Sequence, residues 1–345
     1  MLKQGKSNRR AASPSIAKPP NEVPVGVVGM GLMGTSICAC LLAAGHRLHC
    51  VESDPARIRT ARRRLLAVLK EAASHGLIKE SLSSVLERFT VSSTFDGLKD
   101  AKIVVESTVE SLSIKRRVIK EIEKVVSSRT LIGSNTSSIP ITELQKNARH
   151  PERVLGLHWA EPATATRFME IVCGSQTSLA NARRAERLAR GWGKEPSLIR
   201  RDIRGFITNR IMYSMLREAF HLVDSGYATV ADVDRSMRND LGYWITFAGP
   251  FRFMDLMGIR AYKAVMKGLL PDLNCAKRIP RLMQKVTDSG GRGTSNAKGF
   301  YRYTPAQAKR WEKLFRQFSF RIRDLAKDYP EDVGDRPSLK RKRTT

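Results

Sequence analysis

The stretch from Gly26 to Asp54, GVVGMGLMGTSICACLLAAGHRLHCVESD, constrains this chain more than any other part of it. A short apolar run enters glycines at Gly29, Gly31 and Gly34, an apolar segment of helical length follows, and a third apolar run ends on an acid. Gly29 permits the tight turn, Gly31 lets the backbone approach a pyrophosphate, and Gly34 lets the helix pack closely on the strand. The amide-rich N-terminus of that helix then faces the phosphates. Glu52, 23 positions after Gly29, can accept both hydroxyls of a ribose and would repel a 2′-phosphate, so NAD is expected rather than NADP. Gly29, Gly31, Leu32, Met33, Gly34 and Glu52 are the cofactor-binding candidates of this turn.

The pattern around the turn enlarges it into a domain. Strand candidates at Val25–Gly29, Arg47–Val51, Phe89–Val91, Ile103–Glu106 and Thr130–Ser134 alternate with helical segments at Met33–Ala44, Pro55–Ala73 and Ile114–Val126. Such alternation predicts an α/β fold, a Rossmann-type doubly wound and mainly parallel sheet. Val154–Trp159, Arg167–Cys173 and Ser197–Arg200 continue as strands, with a helix at Leu179–Arg190. Past Arg201 the apolar residues of Ile207–Val223, Ile259–Leu270 and Ala306–Leu325 recur at helical intervals, which predicts an all-helical C-terminal domain. The expected organisation is a basic tail over 1–21 that cannot order itself, a dinucleotide-binding domain over 22–201, a helical domain over 202–330 and a second basic tail over 331–345.

Charge and cysteine content narrow the setting. The 345-residue chain carries 61 Lys and Arg against 33 Asp and Glu, a formal charge of +28, which suits a substrate bearing several phosphates. Nucleic acid is the other polyanion to weigh, but no recognised nucleic-acid motif or basic–aromatic interleaving accompanies the charge, and the C-terminal SLKRKRTT reads as a solvated tail. The longest apolar run, Ile37–Gly45, is too short to cross a membrane. Cys38, Cys40, Cys50, Cys173 and Cys275 are odd in number and lack metal-ligand spacing. They read as small core residues in a reducing, cytoplasmic setting, with no metal site.

Read together with the glycine turn, the segments VVESTVESLSIK (104–115), GSNTSSIPIT (133–142), GLHWAEPATATRFMEIV (156–172), GFITNRI (205–211), AGPFRFMDLMG (248–258) and KGFYRY (298–303) resemble the 3-hydroxyacyl-CoA dehydrogenase family. The resemblance implies hydride transfer between NAD and the 3-hydroxy carbon of a 3-hydroxyacyl-CoA, the oxidation step of fatty-acid β-oxidation. It also implies a helical second domain that completes the cleft and pairs two subunits as a homodimer.

His158, at the end of an apolar strand, and Glu170, twelve positions later on the next one, read as a base with its orienting carboxylate. The resemblance adds Ser137 and Asn209 as hydrogen-bonding groups beside the reacting oxygen, and Glu110 and Lys115 as contacts near the nicotinamide ribose. It also sets the segment after the second strand beside the CoA moiety. Arg57, Arg59, Arg62, Arg63, Arg64 and Lys70 of that helical segment are therefore candidates for meeting CoA phosphates.

Two departures from the family bear on substrate. Trp159-Ala160-Glu161-Pro162 puts an acid where its members commonly have an asparagine, and Ser295 stands where many carry a cofactor-side lysine, with Lys298 or Arg292 near enough in sequence to replace it. A dehydrogenase of a free 3-hydroxy acid, of the gulonate or carnitine type within the same family, is the alternative that the first departure keeps open.

Overall fold

The structure, a computed structural model, describes residues 23–329. The expected tails over 1–21 and 331–345 lie outside the described residues. The chain divides into two units after Phe206, five residues beyond the boundary expected from the sequence.

In the first unit the elements run β1 (Val25–Val28), α1 (Leu32–Ala43), β2 (Leu48–Val51), α2 (Pro55–Ser74), α3 (Leu82–Glu87), β3 (Phe89–Ser92) and β4 (Ile103–Glu106). They continue as α4 (Leu112–Val125), β5 (Leu131–Ser134), α5 (Ile141–Gln145), β6 (Val154–Trp159), β7 (Phe168–Cys173), α6 (Leu179–Gly191) and β8 (Glu195–Ile199). The eight strands lie in the order β3-β2-β1-β4-β5-β6-β7-β8. All neighbouring pairs are parallel except β6 with β7. The order reverses between β1 and β4, and a crevice at such a switch point is where doubly wound sheets bind their ligands.

The inner strands β1, β4, β5 and β6 are buried on both faces because helices cover both. Val25, Val27, Ile103, Val105, Leu155 and Leu157 point to one side and pack with Ile37, Leu41, Leu65 and Leu69 of α1 and α2 and Ala182 and Ala185 of α6. Val28, Val104, Ile132 and Val154 point to the other and pack with Ile119 and Ile122 of α4 and Ile141 and Leu144 of α5. This explains the near-continuous apolar runs of these strands, since a strand with two buried faces has no polar alternation. The Asp54 side chain caps α2 by accepting from the Ala56 amide at 2.9 Å, with Pro55 in the first turn.

The second unit is helical as expected: α7 (Thr208–Asp224), α8 (Val230–Asn239), α9 (Leu241–Ile245), α10 (Gly249–Met257), α11 (Ile259–Leu269), α12 (Arg281–Asp288) and α13 (Pro305–Leu325). Between Ile207 and Gln307 none of the described residues is buried, while Tyr243, Phe251, Leu256, Ile259 and Val265 are each at least 60% exposed. Apolar helical periodicity is thus present without the burial it normally secures. Four of the five cysteines are buried and Cys275 is exposed, so the core reading of the thiols holds for Cys38, Cys40, Cys50 and Cys173 alone. No helix among the described residues is long and apolar enough to cross a membrane.

Candidate active site

A groove of about 790 Å³ opens over the strand ends of the first unit, lined among others by Gly29, Gly31, Leu32, Met33, Glu52 and Ser137. The glycines divide the work of shaping it. Gly29 has φ +95°, and a Cβ there would stand 2.6 Å from the Ser107 carbonyl oxygen; one on Gly34 would stand 1.9 Å from that of Gly29. A Cβ on Gly31 would meet nothing within 4 Å. Its space belongs to the groove, which is the cradle a pyrophosphate needs. No side chain caps the N-terminus of α1, so its first amides remain available to an anion.

Glu52 closes the other side of the turn. One carboxylate oxygen accepts from the Met30 amide at 3.1 Å and the other from the Asp54 amide at 3.2 Å, which fixes a buried acid at the groove wall. Arg57 also lines the groove and pairs with Asp54 at 3.1 Å. The remaining basic residues of α2 are exposed, and Arg62 lies over the Phe89 ring.

Glu110 and Lys115 occupy different layers. Glu110 lines the groove and accepts from the Thr136 hydroxyl at 2.6 Å and from the Ser137 and Ser138 amides at 3.0 Å each, so it holds the loop that carries Ser137. Partial burial raises its pKa, but Thr136, Lys115 and the two serine amides outweigh this and hold it below the usual carboxylate value. Lys115, which the resemblance sets near the nicotinamide ribose, is fully buried. Its ammonium lies 3.0 Å from both oxygens of buried Glu106 and 3.6 Å from Glu110. Glu106 accepts further bonds from Ser134 Oγ and from the amide and hydroxyl of Thr108. Lys115 therefore stands behind the groove wall and supports Glu110 from there.

β6 and β7 pair antiparallel with His158 directly opposite Glu170. His158 Nδ1 lies 2.7 Å from Glu170 Oε2, and both residues are buried. With Nδ1 committed to the carboxylate, Nε2 is the ring nitrogen left to exchange a proton. The edges of Phe168 and Phe206 flank the ring at centroid distances of 5.4 and 5.7 Å. Such an arrangement can accept a proton, because the carboxylate orients the imidazole and stabilises its charged form.

Asn209 lies in the first turn of α7 and so belongs to the second unit, whereas Ser137, His158, Glu170, Glu110, Lys115 and the glycine turn belong to the first. Ser295 donates to the Arg292 carbonyl and Lys298 to that of Ser289, all within the second unit. Sequence reasoning missed Asn135, which lines the groove and bonds to Trp159. No local signal marks it, since a polar residue in a polar turn is unremarkable until the facing strand is known.

A glycine-turn groove shaped for a dinucleotide, with a histidine–carboxylate pair on neighbouring strands of the same sheet, defines a nicotinamide-dependent dehydrogenase of the Rossmann class. Residues 24–203 match the NAD binding domain of 3-hydroxyacyl-CoA dehydrogenase, and residues 205–303 match its C-terminal domain. The chain belongs to the 3-hydroxyacyl-CoA dehydrogenase family, and its cofactor is NAD.

Among its relatives, 5-formyl-3-hydroxy-2-methylpyridine 4-carboxylate 5-dehydrogenase of Mesorhizobium japonicum is 31% identical over 285 residues, covering 83% of this chain and 92% of its own. A 3-hydroxybutyryl-CoA dehydrogenase of Mycobacterium tuberculosis is 31% identical over 282 residues, covering 81% of this chain and 98% of its own. The crystal structure of a 5-formyl-3-hydroxy-2-methylpyridine 4-carboxylic acid 5-dehydrogenase, described as an NAD+ dependent dismutase, superposes with a TM-score of 0.83 at 28% identity and covers 89% of this chain and 99% of its own.

Proposed function

We propose that this chain oxidises the 3-hydroxyl of a 3-hydroxyacyl-CoA to the ketone, with His158 as general base and Glu170 as its orienting partner. The observation that carries the reading is the 2.7 Å contact between Nδ1 and the carboxylate across β6 and β7. NAD bound in the groove would supply the acceptor for the hydride. His158 Nε2 takes the hydroxyl proton, and Glu170 stabilises the imidazolium that results. Ser137, on the loop held by Glu110, and Asn209, at the start of α7, are assigned to the substrate oxygen, where each can donate a hydrogen bond as charge develops. The exposed basic face of α2 is assigned to the CoA phosphates.

A second reading is favoured by a specific pair of observations. The Mesorhizobium relative is named for a pyridine carboxylate rather than a thioester, and Glu161 puts an acid where the family commonly has asparagine. On this reading the substrate is a free hydroxy acid. The deciding experiment compares NADH formation with short 3-hydroxyacyl-CoA thioesters and free 3-hydroxy acids at equal concentrations. Turnover of thioesters that weakens with rising salt supports the first reading, because screening acts over ~8–10 Å at moderate ionic strength. Faster turnover of free acids, indifferent to salt, replaces it with the second.

The working form is assigned as a homodimer. Its support is the second unit, in which α7, α9, α10 and α11 carry exposed apolar side chains and no residue of α7 to α12 is buried, a condition that a second copy packed against them would remove. Sedimentation at micromolar concentration should report twice the 38.6 kDa chain mass. A monomer there would refute it. The four buried free thiols suit a reducing compartment such as the cytoplasm.

A further inference from the structure

β5 and β6 pair through Ser134 and Gly156, and β6 then runs on to Trp159 after β5 has ended. On its other edge this extension is held by β7, with His158 opposite Glu170. On the β5 edge a side chain supports it. Asn135 Oδ1 accepts from the Trp159 amide at 3.0 Å, taking the place a backbone carbonyl would have if β5 continued. Its Nδ2 donates to Ser107 Oγ at 3.2 Å, and the Ser107 amide in turn donates to the Val28 carbonyl at 2.8 Å. A transverse line of hydrogen bonds thus joins the ends of β1, β4, β5 and β6. Val28, Ser107 and Asn135 all line the dinucleotide groove, and Trp159 is the neighbour of His158.

We propose that Asn135 is a positioning residue, whose carboxamide fixes the end of β6, and with it His158, relative to the wall of the cofactor groove. The inference rests on the reading of His158 as the base. Hydride and proton leave one substrate carbon and its oxygen together, so the distance between groove and imidazole has to be set before substrate arrives. A misplacement of about 1 Å can cost ~100-fold in rate. Asn135 meets the chemical requirement because a carboxamide offers an acceptor and a donor on one short, planar group. Aspartate keeps the acceptor for the Trp159 amide and can accept from the Ser107 hydroxyl. Alanine and serine lack the reach to the amide.

The test compares the full-length protein with its Asn135→Ala, Asn135→Ser, Asn135→Asp and His158→Gln variants. The assays use NADH and the best substrate of the thioester and free-acid panel. Asn135→Ala should lower kcat by about 10- to 100-fold while leaving the dissociation constant of NADH within about threefold, since the pyrophosphate turn and Glu52 are untouched. The primary deuterium isotope effect on kcat should rise, because hydride transfer becomes slower than the other steps. Amide exchange in a peptide spanning Trp159 should accelerate. Asn135→Asp should recover most of the rate and the exchange protection, and Asn135→Ser should not.

An Asn135→Ala enzyme with unchanged kcat and isotope effect overturns the inference. So does a lowered kcat with an unchanged isotope effect, the sign of a merely smaller active fraction. If Asn135→Ala fails to bind NADH, the Asp and Ser variants decide, and equal rates in those two overturn the inference. The His158→Gln control separates the two levels: activity surviving there removes the dyad reading itself, whereas its loss beside a normal Asn135→Ala removes only the positioning role.

Discussion

His158 and Glu170 stand opposite one another in the antiparallel β6–β7 pair, with Nδ1 2.7 Å from Oε2. Antiparallel pairing makes this contact a consequence of register, so the dyad is held by two backbones rather than by a flexible loop. His158→Gln should lose about two to four orders of magnitude in kcat, the usual contribution of a positioned general base, with NADH affinity little changed. Glu170→Gln should lose less, because the imidazole remains. Stopped-flow NADH formation with both variants is the measurement, and near-normal rates in His158→Gln would move the chemistry elsewhere.

Gly31 and Gly34 belong to one motif yet should fail differently. A Cβ on Gly34 would meet the Gly29 carbonyl oxygen at 1.9 Å, so Gly34→Ala should destabilise the fold by about 2 kcal/mol or more. Gly31 has open space at that position, so Gly31→Val should fold normally and bind NADH too weakly to titrate. Thermal melts alongside NADH titrations would expose an error if Gly31→Val bound NADH like the parent.

Glu52 should govern the choice of cofactor. Glu52→Ala removes the charge that opposes a 2′-phosphate, so the ratio of NADP to NAD efficiency should rise. The same change frees the amides of Met30 and Asp54, so NAD affinity should fall as well. A parent enzyme that already prefers NADP contradicts this role.

Lys115 and Glu106 form an ion pair with both side chains fully enclosed, at 3.0 Å. Removing one charge strands the other, so Lys115→Met should cost about 3–5 kcal/mol of stability. Adding Glu106→Gln should return much of it, since the remaining group is neutral and keeps its Ser134 and Thr108 partners. Urea unfolding of the single and double variants measures the difference. A double variant no more stable than the single one would show that packing, not the stranded carboxylate, sets the cost.

His46 should make stability depend on pH. Its Nδ1 donates to the Val23 carbonyl at 3.1 Å and its Nε2 accepts from Trp192 Nε1 at 2.9 Å, a pairing that requires the neutral ring. Burial lowers its pKa, Arg88 adds to this, and the Val23 carbonyl opposes it; the net direction is down from 6.5. The unfolded chain therefore binds the proton first, and stability declines as pH falls through that value, levelling off below the folded pKa. His46→Gln removes this titration, so the stability gap between parent and variant should narrow from pH 8 to pH 5. Glu110 titrates below the usual carboxylate value and so acts in a lower window. A gap that stays constant over the range would rule out a neutral His46 as the source.

Much of the first unit was legible because its signals are local. The glycine spacing, the acid at Glu52, the apolar runs of doubly buried strands and the Asp54-Pro55 helix start each depend on a few adjacent residues, whose backbone preferences and periodicity act before any distant contact forms. His158 and Glu170 could be paired from the sequence for a related reason, since they lie on successive strands only twelve positions apart. Lys115 could not be read this way. Its partner Glu106 is only nine positions away, but the contact joins the end of a strand to the first turn of the next helix, and only the sheet order that sets β5 beside β4 brings Ser134 in to close the pair. Asn135 was invisible for the same cause, because its partner Trp159 is 24 positions away and is reached only where β6 outruns β5. In the second unit, periodicity announced the helices of α7, α11 and α13 but missed shorter ones such as α8 and α10, and it could not reveal that α7 to α12 bury nothing within one chain. Sequence by itself determined the strands and longer helices of the first unit and which ligand the turn admits, since these follow from neighbours along the chain. Which charges are enclosed, and which side chain ties the end of β6 to the ends of β4 and β5, was decided by tertiary structure, because those contacts are set by sheet order, register and helix docking rather than by neighbours along the chain.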